Sequence, residues 1–396
     1  MKTLPSLSGA PWLSEPRLQE VMAVITRDGG EVRVAGGAVR NALLDVPIAD
    51  VDLATTMLPK DVMRVCNDAG FGVHPTGYDH GTITVVNNHM PFEVTTLRRD
   101  VETDGRRAVV AFTSDWAQDA QRRDFTMNAM YCDAAGKIYD FTDGYADLLR
   151  NRVKFVGAAS ERIKEDYLRI LRFFRFHSRF GKGAPDKTGL AACTKLKSGL
   201  KKISAERIRQ EIFKLVIAPR AVPTLKVMAS CGVLKPVIPY TDNWRLLSRL
   251  PDDAMLRLFT LAKQPEQLKD VLRLSNAEAQ RIDDLSVAPD LSPSLKPQEQ
   301  RALLYHLGVQ AWTDAVHIAW AKGRSTKTDQ KWQTLLDLPM NWPIPKLPTN
   351  GKDLLRAGVA SSPRMGAVLR DLEDWWVAND FAPTRKDLLE RLKHDA

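Results

Sequence analysis

The hydrophobic pattern of this chain changes once, near residue 155, and this change constrains the fold more than any single motif. Before it, helical stretches around 57–69 and 115–122 alternate with short β-rich runs, which are EVRVAG, TITVVN, FEVTTL and KIYDF. After it come long amphipathic runs such as ERIKEDYLRILRFFRFHSRF and SAERIRQEIFKLVI. Apolar residues at helical spacing predict helices, whereas short alternating runs predict strands. The sequence therefore predicts an α+β fold, with a mixed-sheet N-terminal domain followed by an all-helical remainder.

Gly- and Pro-rich breaks divide the predicted helices into groups. We predict a head at residues 1–148, a helical neck at 149–220, and a helical body and tail at 221–396. Large rings should fill the core of the last part, because six of the nine tryptophans follow residue 300. These six are Trp312, Trp320, Trp332, Trp342, Trp375 and Trp376.

The charge balance favours a polyanionic partner such as nucleic acid, since 57 Lys and Arg residues exceed 48 Asp and Glu residues. The four cysteines are far apart and form no CxxC pair, which argues against a zinc site or disulfides and for a reducing compartment. The N-terminus lacks an apolar signal region, and no stretch reaches the roughly 18 apolar residues that cross a bilayer. We expect a cytoplasmic protein with no membrane contact.

A glycine pair follows the first predicted strand in the segment VRVAGGAVRNALLDVPIADVDLAT. Gly36 and Gly37 would let the backbone approach a phosphate closely, and the N–H groups of the helix that follows favour an anion. Arg40 lies one turn into that helix, within reach of a phosphate or a sugar. These three residues are predicted to bind a nucleotide, although a glycine pair alone is more often a structural turn.

Three carboxylates are predicted to lie close together. We interpret Asp50-Val51-Asp52 as part of a strand, where alternation puts both carboxylates on one face and turns Val51 to the core. Glu93, in the strand PFEVTTL, supplies a third. Hard oxygen ligands of this kind suit Mg²⁺, and two such ions would serve phosphoryl transfer. For an isolated DxD, the alternative is a solvated turn.

The order GGAVRN followed by DVDLAT resembles the branch of the nucleotidyltransferase superfamily that contains class II CCA-adding enzymes and bacterial poly(A) polymerases. The resemblance implies a polymerase β-like head and two catalytic Mg²⁺ bound by Asp50, Asp52 and Glu93. The usual first motif ends in Asp, where this chain has Asn41.

A second motif, QRRDFTMNAMYCD, resembles the family's RRDFTINA. This resemblance implies that Arg123 and Asp124 hold the incoming nucleotide, with Asp124 near its ribose hydroxyl and Asn128 in support. For an isolated RRD, a surface ion pair with a helix N-cap would be the alternative.

The run EDYLR lies in a predicted helix, so Asp166 and Arg169 would share one face. A carboxylate accepts from the exocyclic amine of C or A, while a guanidinium donates to the adjacent ring nitrogen. U and G present the opposite pattern, so this pair could select C and A. An ordinary helix salt bridge is the alternative. The run also resembles the family's EDxxR motif, an amino-acid template for base selection that includes Glu165, with Tyr167 as the departure.

Two further resemblances extend this site. Family members use arginines that match Arg172 and Arg175 to contact the nucleotide. The run ISAERIRQEIFKLV resembles a motif that supports the template helix, which implies a structural role for Glu206 and Arg207. The polar run RRDVETDGRRAVVAFTSD is predicted to be a flexible loop, which relatives that add the terminal A keep and CC-only relatives shorten.

The resemblance implies addition of C, C and A to the 3′ end of tRNA from CTP and ATP. The alternatives are an enzyme that adds only A, a poly(A) polymerase, or an inactive RNA-binding protein on the same scaffold. The chain shows no basic block after the carboxylates, as poly(A) polymerases usually do, and its carboxylates are intact. Six lysines of the helical part are expected to grip the acceptor and T arms of tRNA through backbone contacts, with solvated lysines as the alternative. They are Lys182, Lys187, Lys195, Lys197, Lys201 and Lys202.

Overall fold

The computed structural model describes residues 4–104, 107–326, 328–359 and 364–394. The chain forms two compact units, Met1–Pro239 and Tyr240–Ala396, which are described separately. Within the described residues, no helix is both long and apolar enough to span a membrane.

The first unit begins with a domain in which helices alternate with a mixed sheet. Its helices are α1 Pro16–Arg27, α2 Gly37–Leu43, α3 Pro59–Asp68, α4 Trp116–Gln121 and α5 Gly144–Leu149. Its strands are β1 Val32–Ala35, β2 Leu53–Thr55, β3 Gly72–Gly77, β4 Thr82–Asn87, β5 Met90–Thr96, β6 Arg98–Asp104, β7 Arg107–Phe112, β8 Met130–Cys132 and β9 Ile138–Asp140.

Seven of these strands form one sheet in the order β3-β4-β5-β2-β1-β8-β9. β2 runs parallel to β5, while the other described neighbours are antiparallel. One face packs against α1 and α3 and buries Ile83, Val85, Phe92 and Val94. Burying such side chains contributes about 1.5–3 kcal/mol each. The runs that predicted β1, β4, β5 and β9 and the helices α3 and α4 are confirmed.

The remainder of this unit is helical, as predicted. Its helices are α6 Ala159–Glu165, α7 Leu168–Phe180, α8 Lys187–Leu196, α9 Ala205–Val216 and α10 Ala221–Ser230. The expectation of one helix through the run EDYLR is wrong, because the chain is extended at Asp166 (φ −154°, ψ 106°). The Asp166 carboxylate accepts a hydrogen bond from Leu168 N at 3.1 Å. This local bond competes with continuation of the helix and starts α7 afresh.

The segment between Arg98 and Asp115 was predicted to be a flexible loop, and the expectation of a loop is wrong. Most of this segment forms the antiparallel pair β6–β7, with Arg98 opposite Phe112. The run VVAF and the alternating Val101 and Thr103 supply the β-branched residues that favour strands. Residues 105 and 106 lie outside the described part.

The second unit is helical throughout its described residues. Its helices are α11 Trp244–Leu247, α12 Ala254–Leu261, α13 Leu268–Val271, α14 Asn276–Val287, α15 Pro297–Lys322, α16 Gln330–Asn341, α17 Gly351–Arg356, α18 Arg364–Ala378 and α19 Arg385–His394. Two hydrophobic clusters form its core, one around Trp312 and Trp332 and the other around Trp376. The predicted tryptophan-rich core is confirmed, and with it the α+β fold class.

Candidate active site

A cleft of about 450 Å³ opens in the first unit beside the ends of β1 and α7. Most of the predicted site residues line it, namely Gly36, Gly37, Arg40, Asp52, Arg123, Asp124, Asn128, Asp166, Arg169 and Arg172. Asp50, Glu93 and Arg175 are not among its lining residues. Five lining residues were not predicted as nucleotide contacts, namely Ala35, Arg122, Leu168, Phe176 and Arg207.

Gly36 occupies a backbone position that requires glycine. Its φ is +63°, in the left-handed region. A Cβ at this position would lie 3.0 Å from the carbonyl oxygen of Asn128 and 3.1 Å from Nη1 of Arg123. The glycine therefore allows the start of α2 to approach both residues at the floor of the cleft. Its predicted phosphate contact stays a prediction.

A continuous chain of hydrogen bonds crosses the cleft from α7 to α2. Arg172 donates to Oδ2 of Asp124 from Nε at 2.7 Å and from Nη2 at 2.5 Å. Nδ2 of Asn128 donates to Asp124 Oδ1 at 3.0 Å, and Arg40 Nη1 donates to Asn128 Oδ1 at 2.5 Å. Although burial opposes ionisation, the Arg172 guanidinium and the Asn128 amide hold the pKa of Asp124 below its ordinary value. Asp124 is therefore a fixed anion at neutral pH.

Arg40 is buried at the end of this chain. Burial lowers its pKa to about 10, against the opposing charge of Asp124, so the guanidinium stays protonated at neutral pH. It lies over the ring of Phe180, 4.5 Å from the centroid. Oδ1 of Asn41 accepts from Arg40 Nη2 at 2.8 Å, while the Asn41 amide nitrogen donates to the Pro47 carbonyl at 3.0 Å. An aspartate at this position could not make the second bond, because an ionised carboxylate has no donor.

The Arg123 guanidinium interacts with Asp119 and Tyr131, two residues that the sequence analysis did not identify. Its Nη2 lies 3.2 Å from Oδ2 of Asp119, and its Nε donates to the Tyr131 hydroxyl at 3.1 Å. The same Asp119 oxygen accepts from Tyr131 at 2.7 Å, and its other oxygen pairs with Arg122. The helical spacing of Asp119 and Arg123 was the available signal for this pair. No local pattern indicates the contribution of Tyr131.

Two of the three carboxylates, Asp50 and Asp52, lie just before β2, and the third, Glu93, lies in the neighbouring strand β5. The prediction that Asp50 and Asp52 lie within a strand is wrong, since β2 begins at Leu53. The parallel register pairs Leu53 with Val94, which brings Asp52 beside Glu93. Desolvation by the surrounding protein and the charges of Glu93 and Asp50 raise the pKa of Asp52, while Arg123 opposes this shift. The three residues thus form an anionic group that interacts electrostatically.

These three carboxylates form the predicted metal site. No ion pair within the described residues neutralises Asp50, Asp52 or Glu93, so their chemistry suits a hard cation. However, among the described residues no three His, Cys, Asp or Glu side chains converge well enough to hold one metal ion. The side chains would have to draw together when a cation binds. Two-metal binding by these residues stays a prediction.

Asp166 and Arg169 line the cleft but do not share one continuous helix, so the predicted helical spacing is wrong. Arg207 grips the Asp166 carboxylate with two bonds, of 2.7 and 3.2 Å. Arg169 instead pairs with Glu165 at 2.5 Å and donates to the Arg122 carbonyl at 3.2 Å. Arg207, expected to be only structural, therefore lines the cleft and binds Asp166 directly, one of the two residues predicted to select the base.

Comparison with known proteins identifies the family. Residues 32–154 match the family model described as "Poly A polymerase head domain". Residues 184–245 match "Probable RNA and SrmB- binding site of polymerase A", and residues 252–392 match "tRNA nucleotidyltransferase domain 2 putative". The mitochondrial CCA tRNA nucleotidyltransferase 1 of Mus musculus is 33% identical over 95% of this chain and 89% of its own length. This chain belongs to the CCA tRNA nucleotidyltransferase family.

Two other members support this assignment. The CCA-adding enzyme of Lactobacillus delbrueckii subsp. bulgaricus is 32% identical over 88% of this chain and 90% of its own length. The crystal structure of the Bacillus stearothermophilus CCA-adding enzyme in complex with CTP superimposes with a TM-score of 0.80. Its sequence is 26% identical, and the match covers 96% of this chain and 98% of that one. The resemblance inferred from the motifs is confirmed.

Arg175 differs from the other family-motif arginines of α7. Its Nε pairs with Glu211 on α9 at 2.5 Å, and its guanidinium lies over the Phe176 ring. Glu211 is buried, so this ion pair fastens α7 to α9 behind the cleft. The structure gives Arg175 a packing partner, and its predicted nucleotide contact is untested.

The lysines expected to grip RNA do not form a uniform set. Lys197 donates to the carbonyl of Cys231 at 2.9 Å and is partly buried. The other five are exposed, namely Lys182, Lys187, Lys195, Lys201 and Lys202. Lys197 is therefore engaged in the fold, while the remaining five keep the accessibility that phosphate contacts require.

Proposed function

We propose that this protein adds C, C and A in turn to the 3′ end of tRNA, using CTP and ATP and releasing pyrophosphate. The observation that carries the proposal is one cleft that joins Asp52 to Asp124 and to the pair Asp166 and Arg169. The first is a candidate for catalysis, the second for ribose binding and the third for base selection. The activities named for the relatives point to the same reaction.

The contacts within the cleft support one orientation of a bound nucleotide. Arg123 interacts electrostatically with Asp52, so the triphosphate belongs at this end, near Gly36. Asp124, fixed by Arg172, lies in the middle and suits a ribose hydroxyl. Asp166 and Arg169 then meet the base. Fixed charges of this kind orient a substrate without reorganising during the reaction.

Base selection can occur without breaking the observed ion pairs. A carboxylate offers about four acceptor positions, and Arg207 occupies only part of them, so Asp166 can still accept from the exocyclic amine of C or A. Arg169 carries five N–H donors, which leaves donors for a ring nitrogen beyond its bonds to Glu165 and the backbone. The partners therefore orient the pair rather than block it.

The reaction is the attack of the RNA 3′ hydroxyl on the α-phosphorus of the bound nucleotide. A bond forms between the 3′ oxygen and the α-phosphorus, and the bond to the bridging oxygen breaks, releasing pyrophosphate. Asp50, Asp52 and Glu93 would hold two Mg²⁺ ions, which lower the pKa of an attacking hydroxyl and neutralise the triphosphate. Arg123 and Arg40 add fixed positive charge on the nucleotide side of the cleft.

Several broader expectations are also proposals. We keep the division into a head at 1–148, a neck at 149–220, and a body and tail at 221–396. The exposed lysines are proposed to contact the acceptor and T arms of tRNA. The four cysteines are free thiols, as in proteins of a reducing compartment, and we propose a cytoplasmic protein.

The direct test uses purified protein, Mg²⁺ and three tRNA transcripts that end before CCA, after C and after CC. Each is offered CTP, ATP or both, with Asp50→Ala as the inactive control. Completion of CCA on all three transcripts, abolished in the variant, is the expected result. Addition of A only to the CC-ended transcript would identify an A-adding enzyme, long A tails a poly(A) polymerase, and binding without extension an inactive RNA-binding protein.

A further inference from the structure

The sheet carries a polar, partly open face on its β3–β4–β5 side. On this face lie Thr82 and Thr84 of β4, both half-buried, and Glu93 of β5, which is exposed. The same strands turn Ile83 and Val94 to the other face, where they are fully buried against helices. One face of this part of the sheet is therefore core, while the opposite face is polar and accessible.

A row of side chains links this face to the catalytic carboxylates. Asp52 lies beside Glu93 of β5. In the register of the sheet, Glu93 lies opposite Thr84 of β4, and Thr84 lies opposite His74 of β3. Residues directly opposite each other in a sheet project from the same face. Thr76 joins the row, because its Oγ1 lies 2.7 Å from Oγ1 of Thr84. The row thus runs from two carboxylates to hydroxyls and an exposed imidazole.

The cleft proposed to hold the nucleotide includes Asp52 but does not extend onto the polar face of β3, β4 and β5. Of the residues that line it, none belongs to β3, β4 or β5. In phosphoryl transfer the attacking and leaving oxygens lie roughly in line with the phosphorus. If the triphosphate occupies the cleft, the attacking hydroxyl must approach from the other side, which is the side of β5, β4 and β3.

We propose that the face formed by Thr84, Thr76 and His74 holds the 3′-terminal nucleotide of the RNA substrate through its sugar and phosphate. This inference rests on the proposed function. The terminal base differs at each step of C, C and A addition, so a surface that holds it must not read the base. Threonine hydroxyls fit this need, because they bond to ribose hydroxyls and phosphate oxygens present in every nucleotide.

Thr84→Val tests the contact, because it removes the hydroxyl but keeps a β-branched side chain suited to a strand. With a CC-ended tRNA and ATP, we expect the KM for tRNA to rise about three- to tenfold, as for one lost hydrogen bond, with no change in the KM for ATP. Thr84→Ser should restore much of the loss. Thr26→Val is the matched control. Thr26 is an exposed residue of α1, and this helix packs against the other face of the sheet.

A substrate change tests the chemistry of the contact. A tRNA with a 2′-deoxy sugar at its 3′ end keeps the attacking hydroxyl but removes one sugar contact. If Thr84 binds the terminal sugar, the deoxy end should weaken the wild type more than Thr84→Val. Equal effects on both proteins, or equal rises in the KM for tRNA and for ATP, would overturn the proposal.

A crosslinking experiment separates this proposal from the proposed function. A photoreactive group on the 3′-terminal nucleotide of a tRNA transcript should crosslink to the peptide that contains residues 72–87. Crosslinks confined to other peptides would overturn the proposal, whether or not the protein extends the RNA. Absence of any nucleotide addition by the wild type would instead count against the proposed function.

Discussion

The two ends of the cleft differ in whether their charged side chains are paired with oppositely charged residues. At the nucleoside end the charged side chains have protein partners, as Arg172 has Asp124 and Asp166 has Arg207. At the other end, burial and the charges of the neighbouring Glu93 and Asp50 raise the pKa of Asp52, and no ion pair within the described residues neutralises these carboxylates. At the nucleoside end, protein ion pairs fix the side chains before a substrate binds. At the carboxylate end, the negative charges have no cationic partner among the described residues. We therefore propose that a cation binds only at the second end.

The largest expected effect comes from Asp52→Asn, which removes one anion from the unpaired end. We expect single-nucleotide addition to slow roughly 1,000-fold, because a lost metal ligand costs several kcal/mol of transition-state stabilisation. The affinity for CTP at the paired end should change little. Rapid-quench assays and equilibrium binding of CTP measure the two quantities. A comparable loss in both would contradict the division between the two ends.

Asp124→Asn should lower stability, because it removes the buried anion that pairs with Arg172 and leaves this guanidinium only the more distant Glu211, at 3.9 Å. We expect the free energy of unfolding to fall by about 3–5 kcal/mol, as for a broken buried ion pair. Urea denaturation measures this change. Asp68→Asn is the control, since Asp68 is exposed and 3.8 Å from its partner Arg64, where losses stay below about 1 kcal/mol. Similar losses in both variants would show that the Asp124 pair does not organise the cleft.

Arg207→Gln should loosen the orientation of Asp166 without removing it. We expect discrimination against UTP and GTP to fall about tenfold, roughly the value of one charge-assisted hydrogen bond, while the rate with CTP falls less. Competition between CTP and UTP on a tRNA that lacks CCA gives the ratio. Lys214→Gln removes one positive charge from the exposed face of the same helix and serves as the control. An unchanged ratio in Arg207→Gln would leave this arginine only the structural role first inferred for it.

The smallest effect concerns pH. The pKa of Asp124 is lowered in the folded protein, so its stabilisation is present above the pKa of an unfolded aspartate and is lost as the pH falls through the folded value. The pKa of Asp52 is raised, so its ionised form opposes folding at neutral pH, and this penalty disappears on acidification. Without Mg²⁺, Asp52→Asn should therefore raise Tm slightly at pH 7 but not at acidic pH. Thermal unfolding at several pH values checks this; a gain that persists in acid would contradict the assigned cause.

The sequence predicted which residues line the cleft better than it predicted the contacts between them. Gly36, Asp124 and Arg172 lie where their motifs placed them. The helix break at Asp166 escaped prediction because hydrophobic periodicity continues through Ile163 and Leu168, both buried on either side of it. In the bond that starts α7, the Leu168 N–H donates to the Asp166 carboxylate, and apolar spacing does not report such a contact.

Partners distant in sequence were missed for a related reason. Arg207 reaches Asp166 from α9, and Tyr131 reaches Arg123 from β8. The local sequence does not indicate such pairs, because the residues around Arg207 and Tyr131 would be equally compatible with solvent-exposed side chains. They become visible only when the packing of α7 on α9, and of β8 on β1, fixes their positions.

The parallel pairing of β2 with β5 also determines when catalytic capacity can arise during synthesis. Asp52 acquires Glu93 as a neighbour only across this pair, and the chain between them must first build α3, β3 and β4. Contacts between segments so distant in sequence form slowly, because a long loop must close before they are rewarded. A nascent chain that has emerged from the ribosome only as far as β4 would contain Asp50 and Asp52, the aspartates predicted to bind metal, without Glu93. Nucleotidyl transfer must therefore await the complete head.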